Sequence, residues 1–371
     1  MKILILGGTG AMGEHLVRLL EEDGSADEIC VTSRGERESR GRVRYLRGNA
    51  HEEAFLRELL KTRWDVVVDF MSYGTEEFRS RANALLDATA QYVFLSSARV
   101  YADSKTPLTE TSPRLLDASS DAEFLATDEY ALAKARQENF LRDSGRKNWT
   151  VIRPYITFSE IRLQLGVLEK EEWLYRALHG RTIVFSEEMR EKFTTLTYGL
   201  DVARGIKSVL GVPAALGEVF HITRADALTW GDVLACYTRV LEKRLEREPR
   251  VIFARERAFM RCHPAKYQIR YDRFFDRRFD DSKIARFADV NAFLPTLVGL
   301  EKCLNAFLDA PRFRAVNWVL EACKDRLAGE RTPLSEISGA KQKIMYLLER
   351  YVPAGMLAAK IFRKGMKILW K

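Results

Sequence analysis

Tyr130 and Lys134 are the two residues whose types and spacing most directly suggest chemistry. They lie four positions apart at the start of a predicted helix over 130–144, so their side chains share one helical face. A tyrosine has a pKa of about 10, and a neighbouring ammonium group stabilises its phenolate and lowers that pKa. The pair therefore predicts an acid/base tyrosine that exchanges a proton with a substrate oxygen.

Ser97 is the third candidate, and its position makes the tyrosine–lysine pair more specific. It follows a predicted strand over 92–96, where its hydroxyl can bind a substrate hydroxyl or carbonyl and orient it toward Tyr130. A tyrosine and a lysine at this spacing also occur by chance on ordinary surface helices. The order of a glycine loop, two strand-ending serines and then this pair favours catalysis. We therefore predict catalytic roles for Ser97, Tyr130 and Lys134.

A glycine-rich turn at the start of the chain predicts the cofactor site for this chemistry. An apolar run over 3–6 enters the turn and a helical pattern over 14–20 leaves it, an arrangement that receives a dinucleotide pyrophosphate. The glycines permit the tight turn, the approach of the backbone to the phosphates and the packing of the helix on the strand. The alternative is a glycine turn without a ligand. The expected cofactor contacts in this loop are Gly7, Thr9, Gly10, Ala11, Met12 and Gly13.

Alternating strand and helix patterns position these residues. The alternation predicts an α/β fold with a doubly wound, mostly parallel sheet of the Rossmann type over 1–155. A strand-like run within 190–225 is expected to rejoin that sheet. A smaller interleaved α/β region over 156–310 would bind the substrate, and 311–371 would form a helical extension. The predicted strands are 29–32, 43–46, 65–70, 92–96, 150–153 and 218–222, and the main predicted helices are 52–60, 76–89 and 130–144.

The composition of the 371 residues excludes several classes of protein. No apolar run reaches the roughly eighteen residues that a membrane span needs, and the first strand begins too early for a signal peptide. The five cysteines are scattered and the five histidines lack ligand spacing, so we expect reduced thiols, no metal site and a cytoplasmic location. The net charge of +8 permits an anionic substrate but does not indicate nucleic acid, and we expect none.

The last segment, 356–371, has the pattern of a basic amphipathic helix. One interpretation is peripheral contact with an anionic membrane surface, at the inner face of the membrane. The other is docking on the body of the protein or on a second subunit, and the pattern favours neither. The basic positions on one helical face are Lys360, Arg363, Lys364, Lys367 and Lys371.

The motifs together resemble the extended short-chain dehydrogenases/reductases, usually labelled the NAD-dependent epimerase/dehydratase family. Residues 7–13 resemble the family's G-x-x-G-x-x-G, and residues 96–101 resemble its S-S-x-x-V-Y. Tyr130 with Lys134 resembles its acid/base pair, and 153–155 its R-P after the sixth strand, so the resemblance covers about residues 1–310. It implies a nucleotide-linked sugar as substrate, a role in surface polysaccharide or glycan biosynthesis, and a homodimer paired through the helix over 76–90 and the helix of Tyr130.

The same resemblance extends the set of expected ligand contacts. Lys134 would also bind the nicotinamide ribose, and Tyr130 would also contact the cofactor. Arginines in the segment 270–286 would suit the anionic diphosphate of the substrate, although such a cluster is more often a solvated network of ion pairs. The added cofactor contacts are Phe70, Met71 and Pro154, and the substrate contacts are Ser97, Tyr155, Arg270 and Arg278.

Two departures from the family pattern concern the cofactor. Ser33 and Arg34 stand where an acid would bind the ribose 2′-hydroxyl of NAD, and Arg37 and Arg40 follow closely. A guanidinium group suits a 2′-phosphate, so we expect NADP, with NAD as the alternative. The adenine-contacting aspartate of the family is replaced by Asn49, which we keep as a cofactor contact.

The reaction stays open at this point. The Thr-Asp-Glu of sugar dehydratases is absent from the strand end, and the same letters at 127–129 lie on a different element. A ketoreductase would use Tyr130 to protonate a sugar ketone, whereas an epimerase would remove hydride and return it to the other face. The expected preference for NADP favours the ketoreductase, because NADPH usually serves as a consumed reductant. The family resemblance favours the epimerase. A non-catalytic NADP-binding regulatory or interaction protein is the alternative from another class.

Overall fold

The computed structural model describes residues 1–352, which form two compact units. Unit 1 comprises 1–161, 193–227 and 275–299, and unit 2 comprises 162–192, 228–274 and the residues from 300 onward. The substrate region predicted over 156–310 is therefore shared between the units in the chain, and its role stays a prediction. The basic segment 356–371 lies outside the described residues.

Unit 1 is built on a seven-stranded parallel sheet, as the alternating pattern predicts. The strands are β1 (Lys2–Leu6), β2 (Glu28–Ser33), β3 (Val43–Arg47), β4 (Trp64–Asp69), β5 (Thr89–Leu95), β6 (Trp149–Pro154) and β7 (Glu218–Ile222). Their order in the sheet is β7-β6-β5-β4-β1-β2-β3, and each neighbouring pair is parallel. The segment 218–222 joins the sheet as its edge strand beside β6, which confirms the predicted return of the chain.

Helices cover both faces of the sheet, and the side chains of each strand alternate between them. Ile3 and Ile5 of β1 lie in one apolar cluster, whereas Leu4 and Leu6 lie in the other. Helices α1 and α5 pack in the first cluster, and α2, α3 and α4 in the second. These helices are α1 (Gly13–Glu22), α2 (Glu53–Leu59), α3 (Thr75–Asp87), α4 (Tyr130–Asp143) and α5 (Gly199–Lys207). The doubly wound fold predicted from the sequence is confirmed.

The carboxyl ends of the parallel strands bring the predicted site residues to one edge of the sheet. Phe70, directly after β4, donates its backbone N–H to the carbonyl of Leu6 at the end of β1, over 2.9 Å. Ser96, directly after β5, donates to the carbonyl of Ile152 in β6 over 2.7 Å. The glycine loop, the paired serines and Tyr155 follow strands that end at this edge.

The shorter elements of unit 1 include a parallel pair, Ile156–Phe158 with Leu196–Tyr198, and helical turns at Ala98–Val100, Leu115–Ala118, Ala122–Leu125, Pro213–Ala215, Ile284–Arg286 and Val290–Ala292.

Unit 2 is mostly helical. Its strands pair as Gln164–Leu165 with Leu168–Glu169 and as Ile183–Ser186 with Val251–Ala254. Its longer helices are α6 (Trp230–Leu245), α7 (Glu256–Cys262), α8 (Thr296–Asp309, which begins in unit 1), α9 (Trp318–Ala328) and α10 (Ala340–Tyr351), and its short ones are Leu174–Leu178, Glu187–Arg190, Lys266–Gln268 and Ile269–Arg273. Within residues 1–352, no helix is both long and apolar enough to cross a membrane.

Candidate active site

The turn of the glycine loop requires glycine at positions 7 and 13. Gly7 has a φ of +69°, and its N–H donates to the hydroxyl of Thr32 at 2.9 Å. A Cβ on Gly13 would lie 2.6 Å from the carbonyl of Gly8, so only glycine lets α1 start this close to the turn. The roles predicted for these two glycines agree with the geometry.

The space beside Gly10 is open. A Cβ built on Gly10 would meet nothing within 4 Å, so the loop is open to a ligand here. The amides of Ala11 and Met12 donate no hydrogen bond to any residue within 1–352, and they precede the N-terminus of α1. Unused N–H groups at a helix N-terminus are the donors that bind a pyrophosphate. The half-buried Thr9 lies in the same turn.

Arg34 is the exposed cation that the cofactor prediction requires. Within the described chain it makes no ion pair, whereas Arg37 pairs with Glu14 at 3.1 Å and Arg40 with Glu21 at 3.0 Å. Arg34 directly follows Ser33, the buried residue that ends β2. Asn49 accepts the N–H of His51 through its side chain at 3.2 Å, so it also shapes the start of α2.

The segment after β4 lies against the glycine loop. The sulfur atom of Met71 would be 2.8 Å from a Cβ on Gly7, and Phe70 is hydrogen-bonded to the end of β1. Asp69, the last residue of β4, is buried and was not predicted from the sequence as a site residue. Its carboxylate accepts from the hydroxyl of Tyr92 at 2.8 Å and from the N–H of Met71 at 2.9 Å. Burial raises the pKa of Asp69. Pro154, the last residue of β6, is also buried.

Tyr130 and Lys134 occupy the first turns of α4, as predicted. The Tyr130 side chain is 38% exposed, whereas Lys134 is buried and donates through Nζ to the carbonyl of Leu95 at 2.8 Å. Burial lowers the pKa of Lys134 to about 8, although Asp69 and Glu138 act in the opposite direction. The lysine therefore keeps most of its positive charge at neutral pH, 5.9 Å from the centre of the Tyr130 ring.

Ser97 and Tyr130 are linked by an arginine that the sequence analysis did not single out. The Ser97 hydroxyl accepts the N–H of Arg99 at 3.2 Å and caps the turn Ala98–Val100. The guanidinium of Arg99 lies 5.2 Å from the centre of the Tyr130 ring and pairs with Glu129. Glu129 in turn accepts the N–H of Ala131 at 2.7 Å, which caps α4. The serine loop and the tyrosine helix are thereby held together.

A buried carboxylate, Glu138, also connects the helix to the strand ends. It accepts from the Ser96 hydroxyl at 2.6 Å and from two nitrogens of Arg153 at 2.6 and 2.8 Å. Burial acts to raise the pKa of Glu138, but Arg153, Ser96 and Arg114 outweigh it and the pKa is lowered. The spacing of Glu138, four residues after Lys134, was the signal that could have identified it.

The predicted substrate residues are divided between the two units. Tyr155 is buried just after β6, with its ring 5.3 Å from that of Phe279. Arg278 lies over the ring of Phe193 at 4.9 Å within the same unit. Arg270 belongs to unit 2, where it pairs with Glu256 at 2.6 Å, and its role in substrate binding stays a prediction.

A parallel Rossmann sheet with a glycine loop on its first strand, and with serine, tyrosine and lysine held near one strand end, defines an extended short-chain dehydrogenase/reductase. The sequence model of the NAD dependent epimerase/dehydratase family matches residues 3–222. The chain therefore belongs to this family, and its members are enzymes.

Solved structures with the same fold include three epimerases. UDP-glucuronic acid 4-epimerase from Bacillus cereus, in complex with UDP-glucuronic acid and NAD, is 15% identical, with a TM-score of 0.62 over 83% of this chain and 99% of that one. UDP-glucose 4-epimerase from Thermus thermophilus, in complex with NAD, is 17% identical, with a TM-score of 0.61 over 84% and 100%.

UDP-N-acetylglucosamine 4-epimerase from Methanobrevibacter ruminantium M1, in complex with UDP-N-acetylmuramic acid, is 15% identical, with a TM-score of 0.62 over 83% and 98%. At these identities the likeness shows the fold. None of the curated proteins compared with the chain matches it.

Proposed function

We propose that the enzyme transfers hydride between a nicotinamide dinucleotide and a nucleotide-linked sugar, with Tyr130 exchanging the proton. The hydrogen bond from Lys134 to the Leu95 carbonyl carries this proposal, because it fixes the tyrosine helix against the strand end that presents Ser97. Membership of the family, and the UDP-linked sugars of the similar epimerases, support a nucleotide-linked sugar as substrate.

The chain's own residues have separate tasks in this reaction. The dinucleotide, when bound, supplies or accepts the hydride. The Tyr130 hydroxyl gives its proton to the substrate oxygen on reduction and takes it back on oxidation, while the Lys134 ammonium stabilises the phenolate. The Ser97 hydroxyl donates a hydrogen bond to the same substrate oxygen and orients it.

Replacing Tyr130 tests this assignment. We expect Tyr130→Phe to abolish turnover of a nucleotide sugar and to leave dinucleotide affinity within about twofold, because the ring and its packing are kept. A screen of UDP- and dTDP-linked sugars, read by dinucleotide absorbance and by product chromatography, would measure it. Normal turnover by this variant would refute the mechanism.

Epimerisation and ketone reduction are the two reactions supported by specific observations. The family and the similar solved structures favour epimerisation, whereas the exposed Arg34 without an ion pair in residues 1–352 favours NADPH and hence reduction. The purified enzyme distinguishes them through its bound cofactor. Retention of an oxidised dinucleotide through purification would support epimerisation, and an empty protein that consumes NADPH with a keto sugar would support reduction.

The preference for NADP rests on Arg34 and can be measured independently of the substrate. We expect Arg34→Ser to weaken NADPH binding about tenfold and to leave NADH binding unchanged, because a charged contact to the 2′-phosphate is lost. Arg57→Ser, which removes an exposed arginine of α2 paired with Glu53, is the matched control. Equal loss for both dinucleotides would contradict the assignment.

The homodimer, the cytoplasmic location and the membrane contact of 356–371 remain proposals. Five basic side chains near an anionic surface would each contribute on the order of 1 kcal/mol, giving weak and salt-sensitive attachment. Co-sedimentation with anionic liposomes should therefore be lost when the chain is truncated after residue 355. Equal sedimentation of the two forms would exclude the membrane interpretation.

A further inference from the structure

A basic groove of about 760 Å³ lies in unit 1. Its lining includes Trp149 and Glu218, the first residues of β6 and β7, and also Arg153 near the carboxyl end of β6. No residue of the glycine loop lines the groove, and neither do Ser97, Tyr130 and Lys134. The groove is therefore a separate cavity, and its volume is that of pockets that hold small organic ligands.

The lining of this basic groove has twice as many cations as acids. Its three acids are Glu110, Asp117 and Glu218. Its six cations are Arg114, Arg142, Arg146, Lys147, Arg153 and Lys283. Some of these cations are neutralised locally, since Lys283 pairs with Glu218 at 2.7 Å and Arg114 with Asp117 at 2.8 Å.

The remaining positive charge is concentrated around one carboxylate. Glu138 lies 2.6 Å from Arg153, 3.3 Å from Arg114 and 3.8 Å from Arg142, so it is shared by three guanidinium groups, of which only Arg114 also pairs with Asp117. Arg142 is the most weakly paired of the three. Its pKa is lowered by partial burial and by the two neighbouring arginines, despite the attraction of Glu138. Lys147 also lines the groove, and it makes no ion pair with any residue in 1–352.

Crowded cations of this kind are stabilised by a multiply charged anion, and phosphate oxygens match the guanidinium fork. The lining also includes the apolar side chains of Pro113, Leu216 and Val219, against which an organic group can pack. We propose that the basic groove binds a small phosphorylated molecule through Arg142 and Lys147. This site is distinct from the dinucleotide site and does not depend on the proposed reaction.

The ligand is expected to come from outside this chain. The segment 356–371 carries five basic residues and no acidic one, so its charge opposes binding in a basic groove. Inorganic pyrophosphate, inorganic phosphate and UDP are suitable probes, because they separate the contribution of the phosphates from that of an attached organic group.

The test is isothermal titration of the full chain with each probe, at low and at physiological salt. We expect pyrophosphate and UDP to bind, and Arg142→Gln combined with Lys147→Gln to weaken the affinity of this site at least tenfold. The control combines Arg57→Gln with Lys61→Gln, which removes an arginine and a lysine from exposed ion pairs with Glu53 and Glu58 of α2. It should bind like the wild type, and thermal melting of all three proteins checks that each is folded.

A phosphate probe could also enter the dinucleotide or substrate site. Binding there would be unaffected by the groove variant, so a titration that keeps one site and loses another in the variant would still support the proposal. Identical isotherms for the wild type and the groove variant would overturn it, as would the absence of binding by all three probes at low salt.

Discussion

Two clusters of charge, one in each unit, have opposite compositions. In unit 1, Arg114, Arg142 and Arg153 surround the carboxylate of Glu138, and Arg114 also pairs with Asp117. We call Arg114, Arg142, Arg153 and Glu138 the arginine cluster. In unit 2, the single guanidinium of Arg176 binds three carboxylates, those of Glu321, Asp325 and Glu330, at 2.8 to 3.0 Å. We call these four residues the carboxylate cluster.

The carboxylate cluster is complete within the protein. Asp325 also accepts from the Tyr346 hydroxyl at 2.7 Å and from Thr332, whose hydroxyl lies at 2.7 Å. Glu330 also accepts from Thr182, and Glu321 is bound by Lys324 at 2.9 Å. Each of the three carboxylates thus accepts a hydrogen bond from a further side chain besides Arg176, which is fully buried.

The arginine cluster is only partly buried. Arg153 is buried, but Arg142 is 38% exposed and faces the basic groove. A buried surplus of one charge must be neutralised by neighbouring groups, whereas a surplus beside a cavity can be neutralised by a ligand. By this reasoning unit 2 uses its cluster for stability, and unit 1 uses its cluster for binding.

The largest expected effect is the loss of the central cation in unit 2. We expect Arg176→Met to lower the free energy of unfolding by about 4 kcal/mol, because it leaves three carboxylates around an uncharged side chain. Arg244→Met, at an exposed pair with Asp309, should change it by less than about 1 kcal/mol. Urea unfolding measures both, and equal effects would show that the carboxylate cluster contributes no special stability.

The next effect is acid sensitivity in the same unit. Glu172 accepts from His263 at 2.9 Å and from Lys324 at 3.3 Å, and although burial opposes them these partners lower its pKa to about 2. A carboxyl whose pKa is depressed on folding stabilises the protein above its ordinary pKa and loses that contribution as the pH falls. The contribution is about 3 kcal/mol, lost between about pH 5 and pH 2.

Measurements of the free energy of unfolding against pH, for the wild type and Glu172→Gln, isolate the contribution of the Glu172 carboxylate to stability. The variant should be less stable at neutral pH and should lose less stability on acidification. Parallel curves for the two proteins would mean that Glu172 has the same pKa in the folded and unfolded chain.

The smallest expected effect concerns the arginine cluster and bears most directly on the comparison. We expect Glu138→Gln to lower the free energy of unfolding by about 2 kcal/mol, less than the change in unit 2 because water and ions reach the groove. Millimolar pyrophosphate should recover part of that loss, by occupying the site where charge is missing. No added small ion should rescue Arg176→Met. If pyrophosphate fails to stabilise the Glu138 variant, the two clusters differ only in sign.

Much of the fold and of the site could be predicted from the sequence because it depends on local spacing. The alternation of Ile3, Leu4, Ile5 and Leu6 between two apolar clusters follows from the geometry of a strand. The approach of Tyr130 and Lys134 follows from the geometry of a helix. Each of these relations is set within a few residues of the chain.

Other relations could not be predicted, because they join residues far apart in the sequence. In the sequence, Arg37 and Arg40 are as suitable as Arg34 for binding a 2′-phosphate. In the structure, however, both form ion pairs with acidic residues of α1. Cys262 and Cys323, scattered in the sequence, bring their sulfur atoms to 2.7 Å. No spacing rule covers such contacts.

The parallel sheet, the glycine loop and the serine, tyrosine and lysine of the candidate active site follow from the sequence, since all are encoded in short local patterns. Which charges are neutralised depends on the tertiary structure. Whether Arg142 shares Glu138 with two other arginines, or Arg176 gathers three carboxylates, depends on which distant segments the fold packs together. The energy of a charge is set by these neighbours and by its burial, and neither is written in the local sequence.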